Sequence, residues 1–489
     1  MIRCVSRVLL VGWIGLFCGC LHQAADLTPV PDSGISDAGL DAGSDAGRDA
    51  GVDAGPDAGP NDGGSGTCPG TGPACMPGVA PDLSVVMPLS SSLYPTAVVI
   101  TSGDLNGDGL RDLVFSSVVV PWPLAGVPPF GVTVMLALLD GGFSAATTYG
   151  IEFGVLSDPS LFLGSDNGQI AIGDLNGDGL PDVAMTGVVN GIDPHMSVLA
   201  TFMNLGGGLL GAPTTYDFLL GTNIASVAIG DFNGDGAADI VLGLVSTAPL
   251  LLLNEGDGGF AAPTPLPVPL HTDGLGVVGA AVQDFNCDGL LDMAFGLSGG
   301  IVVLLNEGDG GFETVTLPVF DAGMASNDTF FSVAAIPPGN GLPARLIGAE
   351  WTSTPIDNTI VQVFQYENGE FLSSAYAGSA LTRVNIAVSD LNADCIPDIV
   401  ISGQGISGPS VILGGTEVMF GLADGSYGPP QALAPDIHSP GGVAPVGSST
   451  ASQALAIVDS SLGSPPAYDA WIVSVGDTLD AQTFVPASP

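Results

Sequence analysis

Asp104, Asn106, Asp108 and Asp112 occupy positions 1, 3, 5 and 9 of the run Asp-Leu-Asn-Gly-Asp-Gly-Leu-Arg-Asp, and the same spacing of oxygen side chains returns four more times. The second set is Asp174, Asn176, Asp178 and Asp182, and the third is Asp231, Asn233, Asp235 and Asp239. The fourth is Asp284, Asn286, Asp288 and Asp292, and the fifth is Asp390, Asn392, Asp394 and Asp398. Carboxylates crowded this closely repel one another unless a hard cation with six to eight oxygen ligands draws them together. Calcium is the cofactor this pattern predicts, at about five sites. Position 7 would add a backbone carbonyl, from Leu110, Leu180, Ala237, Leu290 and Ile396. Position 6 is glycine in four loops, as a left-handed turn requires, and Cys395 in the fifth, which predicts a weaker site.

These are not helix–loop–helix calcium sites, which need a bidentate Glu at position 12. Position 12 here is Phe115, Met185, Leu242, Phe295 and Ile401. The flanks alternate or run apolar like strands, as in Ser226-Val-Ala-Ile-Gly before the third loop and Ile240-Val-Leu-Gly-Leu after it. Each loop is therefore expected to join two strands of a hairpin.

The loops begin at 104, 174, 231, 284 and 390, in steps of 70, 57, 53 and 106, and the last step is twice 53. A degenerate copy falls where that requires it, from Val333 through Gly341-Leu-Pro to Gly348, without the acids. Another, again without acids, runs from Val443 to Val458, making seven units. A second signature keeps the same register: an apolar run, a Gly-rich turn and an aromatic, as in Leu253-Asn-Glu-Gly-Asp-Gly-Gly-Phe260 and Leu305-Asn-Glu-Gly-Asp-Gly-Gly-Phe312. Asp-Gly and Asn-Gly supply the positive φ angles of tight hairpins. Four antiparallel strands per unit is one propeller blade. The expectation is an all-β, seven-bladed β-propeller over residues 82–489.

These segments resemble FG-GAP/VCBS repeats, the family that builds the seven-bladed propeller of integrin alpha-subunit heads and many bacterial surface proteins. The resemblance implies calcium in the loops and an adhesive or binding role. Units five and seven depart from the motif, and no metal is carried over to them.

Arg3 and Arg7 precede an apolar stretch from Val8 to Phe17, too short for a membrane span. Residues 1–19 read as a secretion signal, and Gly19-Cys20 resembles a bacterial lipobox with Cys20 as the lipidated residue; ordinary signal-peptidase cleavage is the alternative. The chain would then be an outer-membrane lipoprotein, held to the membrane by its lipid alone, on the cell surface or the periplasmic side. Residues 20–67 repeat Asp-Ala-Gly every four residues and read as a disordered, self-repelling tether. Residues 68–81 form a junction in which Cys68 and Cys75 are expected to pair in an oxidising envelope. Cys287 and Cys395, in the loops of units four and six, are expected to be free.

The net charge is −44 and the chain has six Arg and no Lys. Nucleic acid binding needs many cationic contacts and is excluded. No catalytic constellation stands out: the four His share no ligand or triad spacing, and a phosphate loop has no Lys to use. Three readings remain. The first is a non-catalytic binding or adhesion module for a glycan or an envelope or extracellular protein. The second is a polysaccharide-degrading lyase or hydrolase, and the third a scaffold in an envelope complex. Binding loops belong on the face opposite the metal turns, where the variable connections lie. Candidates there are Trp122, Phe130, Asp158, Phe162, Asp166, His195 and Trp351.

Overall fold

The computed structural model describes residues 95–474, apart from 120–129, 140–141, 152–161, 165–168, 191–195, 218–222, 246, 257, 270–276, 298–299, 309, 318–328, 340, 353–357, 380, 393, 406–414, 434–439, 449–450 and 462–466. The chain divides into two units, Met1–Asp62 and Gly63–Pro489, and every described residue belongs to the second. The signal, the tether and the junction with Cys68 and Cys75 lie outside the described residues.

Every described element is a strand. Unit one holds β1 (Pro95–Gly103), β2 (Leu110–Val119), β3 (Phe130–Met135) and β4 (Thr147–Gly150). Unit two holds β5 (Phe162–Gly164), β6 (Ile170–Gly173), β7 (Asp182–Asn190), β8 (Met196–Phe202) and β9 (Thr214–Asp217). Unit three holds β10 (Ile224–Gly230), β11 (Asp239–Leu244), β12 (Leu250–Leu252) and β13 (Thr264–Pro265). Unit four holds β14 (Val277–Gln283), β15 (Asp292–Leu297), β16 (Gly300–Asn306) and β17 (Phe312–Leu317). Unit five holds β18 (Thr329–Ile336), β19 (Arg345–Thr352), β20 (Asn358–Glu367) and β21 (Glu370–Ser379). Unit six holds β22 (Leu381–Ser389), β23 (Asp398–Gly405), β24 (Gly415–Met419) and β25 (Gln431–Ala432). Unit seven holds β26 (Pro440–Ser448), β27 (Ala451–Ser461) and β28 (Ala467–Ser474).

All pairings are antiparallel meanders, and units three to six are four-stranded sheets. In unit two, β5 and β6 both pair with β7, giving five strands. The expectation of seven separate blades is corrected. The described residues form six sheets, because β26 pairs with β2 through Leu110–Ser448 and Arg111–Gly447 and merges units seven and one. Where a repeating meander comes back on itself, the first strand of the last unit meets the second strand of the first. The periodicity of the sequence does not register that contact.

The core lies between units rather than within one. One apolar cluster joins Val114, Val132 and Ile151 of unit one to Val183, Met185 and Phe202 of unit two. Later clusters repeat this around the ring, and Phe115 and Met135 pack with Ala444, Val446 and Ala456 to join unit seven to unit one. A strand with a neighbouring sheet on each face must be apolar on both, which is why Asp-Ile-Val-Leu-Gly-Leu of β11 and Gly-Ile-Val-Val-Leu-Leu-Asn of β16 are buried throughout. The outermost β13 and β17 carry Thr, Glu and Pro and are largely exposed, which blunts the open edges.

Phe130 and Phe162 begin strands β3 and β5, and Trp351 lies in β19, not in loops as expected. Val118–Phe130 and Trp351–Thr359 are ladder pairs, so hydrogen bonding continues past the point where the neighbouring prolines suggest the strands end. Trp122, Asp158, Asp166 and His195 lie outside the described residues.

Candidate metal centres

Each acidic loop bridges the first and second strands of its hairpin. In unit three, Asp231 Oδ1 accepts the N–H groups of Gly234 (2.8 Å) and Asp235 (3.2 Å), and its Oδ2 accepts that of Gly236 (2.9 Å). Asn233 Oδ1 accepts the Asp235 N–H (3.0 Å), and its Nδ2 donates to Asp235 Oδ2 (2.7 Å). Asp235 Oδ1 accepts the Ala237 N–H (2.8 Å). The same bonds recur, with small omissions, in the other four loops. Asp and Asn are suited to this because their short side chains mimic a backbone turn.

Positions 4 and 6 both take left-handed backbone. Position 4 has φ 77° at Gly107 and 66° at Cys287, and position 6 has φ 85° at Gly109 and 71° at Cys395. Sequence reasoning identified this demand at position 6 only. A Cβ there costs about 1 kcal/mol, and both cysteines accept it. Both are also disulfide-bonded, which corrects the expectation that they are free. Iodoacetamide applied to the folded, unreduced chain should therefore leave Cys287 and Cys395 unlabelled in a peptide map, and labelling of either would contradict the bonding.

Position 9 differs from the rest. Asp112, Asp182, Asp239, Asp292 and Asp398 are fully buried, whereas positions 1 and 5 lie on the surface side of the loop. Each buried carboxylate receives two backbone N–H groups, one from position 2 of its own loop and one from the start of the Gly-rich turn. For Asp239 these are Phe232 (3.0 Å) and Asn254 (2.8 Å), and for Asp292 they are Phe285 and Asn306 (both 2.8 Å). Burial pushes these carboxyls above the usual carboxylate range, to about 6 at Asp112 and about 7 at Asp292 and Asp398; the two N–H bonds pull down against it, and the acids at positions 5 and 1 push up.

The donor set is all oxygen and anionic, which suits a hard cation. The acids at positions 1 and 5 are near enough to push up the carboxyl at position 9. Their oxygens are turned onto the loop's own amides, however, and among the described residues no three His, Cys, Asp or Glu side chains form a group that could hold a metal ion. The chemistry fits the ion, and the side-chain orientations are those of a loop closed on itself.

One set of residues went unread in the sequence. Asn254 Nδ2 donates to Ala238 O of its own loop (2.8 Å) and to Leu175 O of the preceding unit's loop (2.6 Å). Asn204 joins Pro181 O to Leu105 O, and Asn306 joins Leu291 O to Phe232 O, in the same way. These asparagines sew the loops of units one to four together. The signal was their recurrence one residue before the Gly-rich turns, where Asn reads as an ordinary turn former. Asn254→Ala orphans a buried carbonyl at each end and should cost about 1–3 kcal/mol in chemical denaturation; an unchanged midpoint would show the stitch to be incidental.

In unit five the register Ile336–Arg345 matches Gly103–Asp112, so a buried Arg345 stands where units one to four and six have the position-9 acid. Its guanidinium donates to Gly425 O (2.6 Å) and Tyr427 Oη (3.1 Å) and lies 5.4 Å from the Tyr427 ring centroid. Burial pushes the Tyr427 phenol up to about 12. A cation tied to the next unit's turn thus replaces an anion tied to amides. Arg345→Met should destabilise the chain by about 2–4 kcal/mol, with or without calcium; a loss seen only with calcium would place an ion in unit five.

The large apolar side chains exposed among the described residues sit mostly on the Gly-rich turns: Leu138 and Leu139 in unit one, Leu205 and Leu209 in unit two, and Leu422 in unit six. Phe130, Phe162 and Trp351 lie at strand ends away from the acidic loops.

Residues 174–242 match the model of the FG-GAP-like repeat. No curated protein matches the chain. Among solved structures, it is similar to an Agrocybe aegerita lectin described as recognising non-reducing terminal N-acetylglucosamine, at 20% identity and TM-score 0.45 over 71% of this chain and 82% of that one. It is also similar to the exotype rhamnogalacturonan lyase YesX, at 14% identity and TM-score 0.40 over 77% of this chain and 72% of that one. The rhamnogalacturonan lyase YesW gives 14% identity and TM-score 0.40 over 77% and 71%.

Proposed function

We propose that the chain is a calcium-stiffened β-propeller that binds a glycan or an envelope protein without transforming it. The observation that supports this reading is the set of five acidic loops in one register, each fixed to its hairpin by a buried acid and several sewn to the loop before. In each, the acids at positions 1, 5 and 9, the Asn at position 3 and the carbonyl at position 7 would hold the ion. The ion supplies positive charge where carboxylates crowd, and so couples a bound metal to the rigidity of the ring.

A stiff ring presents the connections between second and third strands as a fixed surface. Trp122, in the first such connection, and Trp351, near the end of β19 beside another, are the candidates for stacking on a ligand. The lipid on Cys20 and the Asp-Ala-Gly tether would hold this surface off an outer membrane. Cys20→Ser should release the protein into the soluble fraction, and a variant processed and retained like the parent would remove the anchor from the account.

The test is a glycan array overlaid with the calcium-loaded chain, run beside a panel of soluble polysaccharides assayed for cleavage. Retention of a glycan class with no release of reducing or unsaturated ends supports a binding module. Sustained cleavage by the purified chain would overturn it in favour of an enzyme.

A further inference from the structure

The first strands of units one and three to seven, with the start of β6 in unit two, contribute to one axial cavity of about 420 Å³, from Val99–Ser102 in β1 round to Val443–Pro445 in β26. That volume lies within the range of small-molecule sites. Its lining is unusual for this chain. The sequence has 50 acids, yet among the described residues none lines the cavity, and Arg111 is the one charged side chain that does. Ser102, Gln169, Ser332 and Asn385 add neutral polar groups.

Arg111 is poorly compensated. Its Nε is buried without a hydrogen-bond partner, as is the Ser102 hydroxyl. The acids of its own loop are spent elsewhere: every carboxylate oxygen of Asp104, Asp108 and Asp112 already accepts a hydrogen bond from the loop or from Ala137. Leaving a cation desolvated without a counter-charge is costly, and an anion of the right size relieves it.

We propose that the axial cavity is a binding site for a small carboxylate, with Arg111 as its counter-charge and the Ser102 hydroxyl as its neutral donor. Arg111 is position 8 of the first acidic loop, and the site uses none of that loop's acids.

The test uses 4-bromobenzoate and its neutral counterpart 4-bromobenzamide, titrated calorimetrically into the full chain at low salt. The carboxylate should bind, and the amide should bind about 10- to 100-fold more weakly, the worth of a charged hydrogen bond. Arg111→Gln should bring the two ligands together. Crystals grown with 4-bromobenzoate should show the bromine anomalous peak inside the axial cavity. No binding, equal binding of both ligands by the parent, or bromine located elsewhere would overturn the proposal. Should Arg111→Gln fail to fold, the parent's carboxylate–amide ratio and the bromine position still decide it.

Discussion

Asp239→Ala should be among the most damaging single changes in the molecule even with no metal present. Its carboxylate is fully buried and is the acceptor for the Phe232 and Asn254 amides. Removing it leaves two buried N–H groups without a partner, at a cost of about 2–5 kcal/mol. It also detaches the acidic loop from the Gly-rich turn whose Asn254 reaches the preceding unit. Asp235→Ala, four residues earlier and exposed, should leave the metal-free denaturation midpoint nearly unchanged. Urea titrations of both variants in chelator separate the two roles. Equal losses would mean that positions 5 and 9 do the same job, contrary to the geometry.

Calcium should raise the melting temperature by a wide margin. An ion at 100 times its dissociation constant stabilises the folded state by about 2.7 kcal/mol per site. Summed over the five loops this is on the order of 10 kcal/mol, or roughly 10 °C for a domain of this size. The effect should grow with pH. Without metal, burial holds Asp112 at about 6 and Asp292 and Asp398 at about 7, above the 3.8 of an unburied Asp. The folded chain then binds more protons than the unfolded one between those values. Its metal-free stability therefore falls as pH rises from about 4 to 7. Calcium needs these groups ionised and reverses the trend. Melting curves with calcium and with chelator should diverge from pH 5 to pH 8; parallel curves would show that no ion binds at position 9.

Much of the fold was legible because the loops are near copies and their spacing is regular. The missing copy near 337 was found by arithmetic, and β18 and β19 stand where it was expected. What stayed hidden depends on contacts between units. The pairing of β2 with β26 joins residues over 330 positions apart, and no local pattern encodes it. Asn254 reads as a turn residue until its amide is seen to reach Leu175 O. Arg345 reads as a lost acid rather than a replacement, because its partners Gly425 and Tyr427 belong to the next unit. Position 9 was read as one ligand among equals. Its burial and its two amide donors give it a structural duty that spacing alone does not show.

The central claim is that the loops bind calcium, and counting the ions tests it most directly. The purified chain, equilibrated by dialysis against buffered free calcium and measured by plasma mass spectrometry, should carry about five ions, one per acidic loop. Asp235→Ala should carry one fewer. A count near zero, or a count that Asp235→Ala leaves unchanged, would contradict the account and leave the loops as hydrogen-bonded turns that close on their own amides.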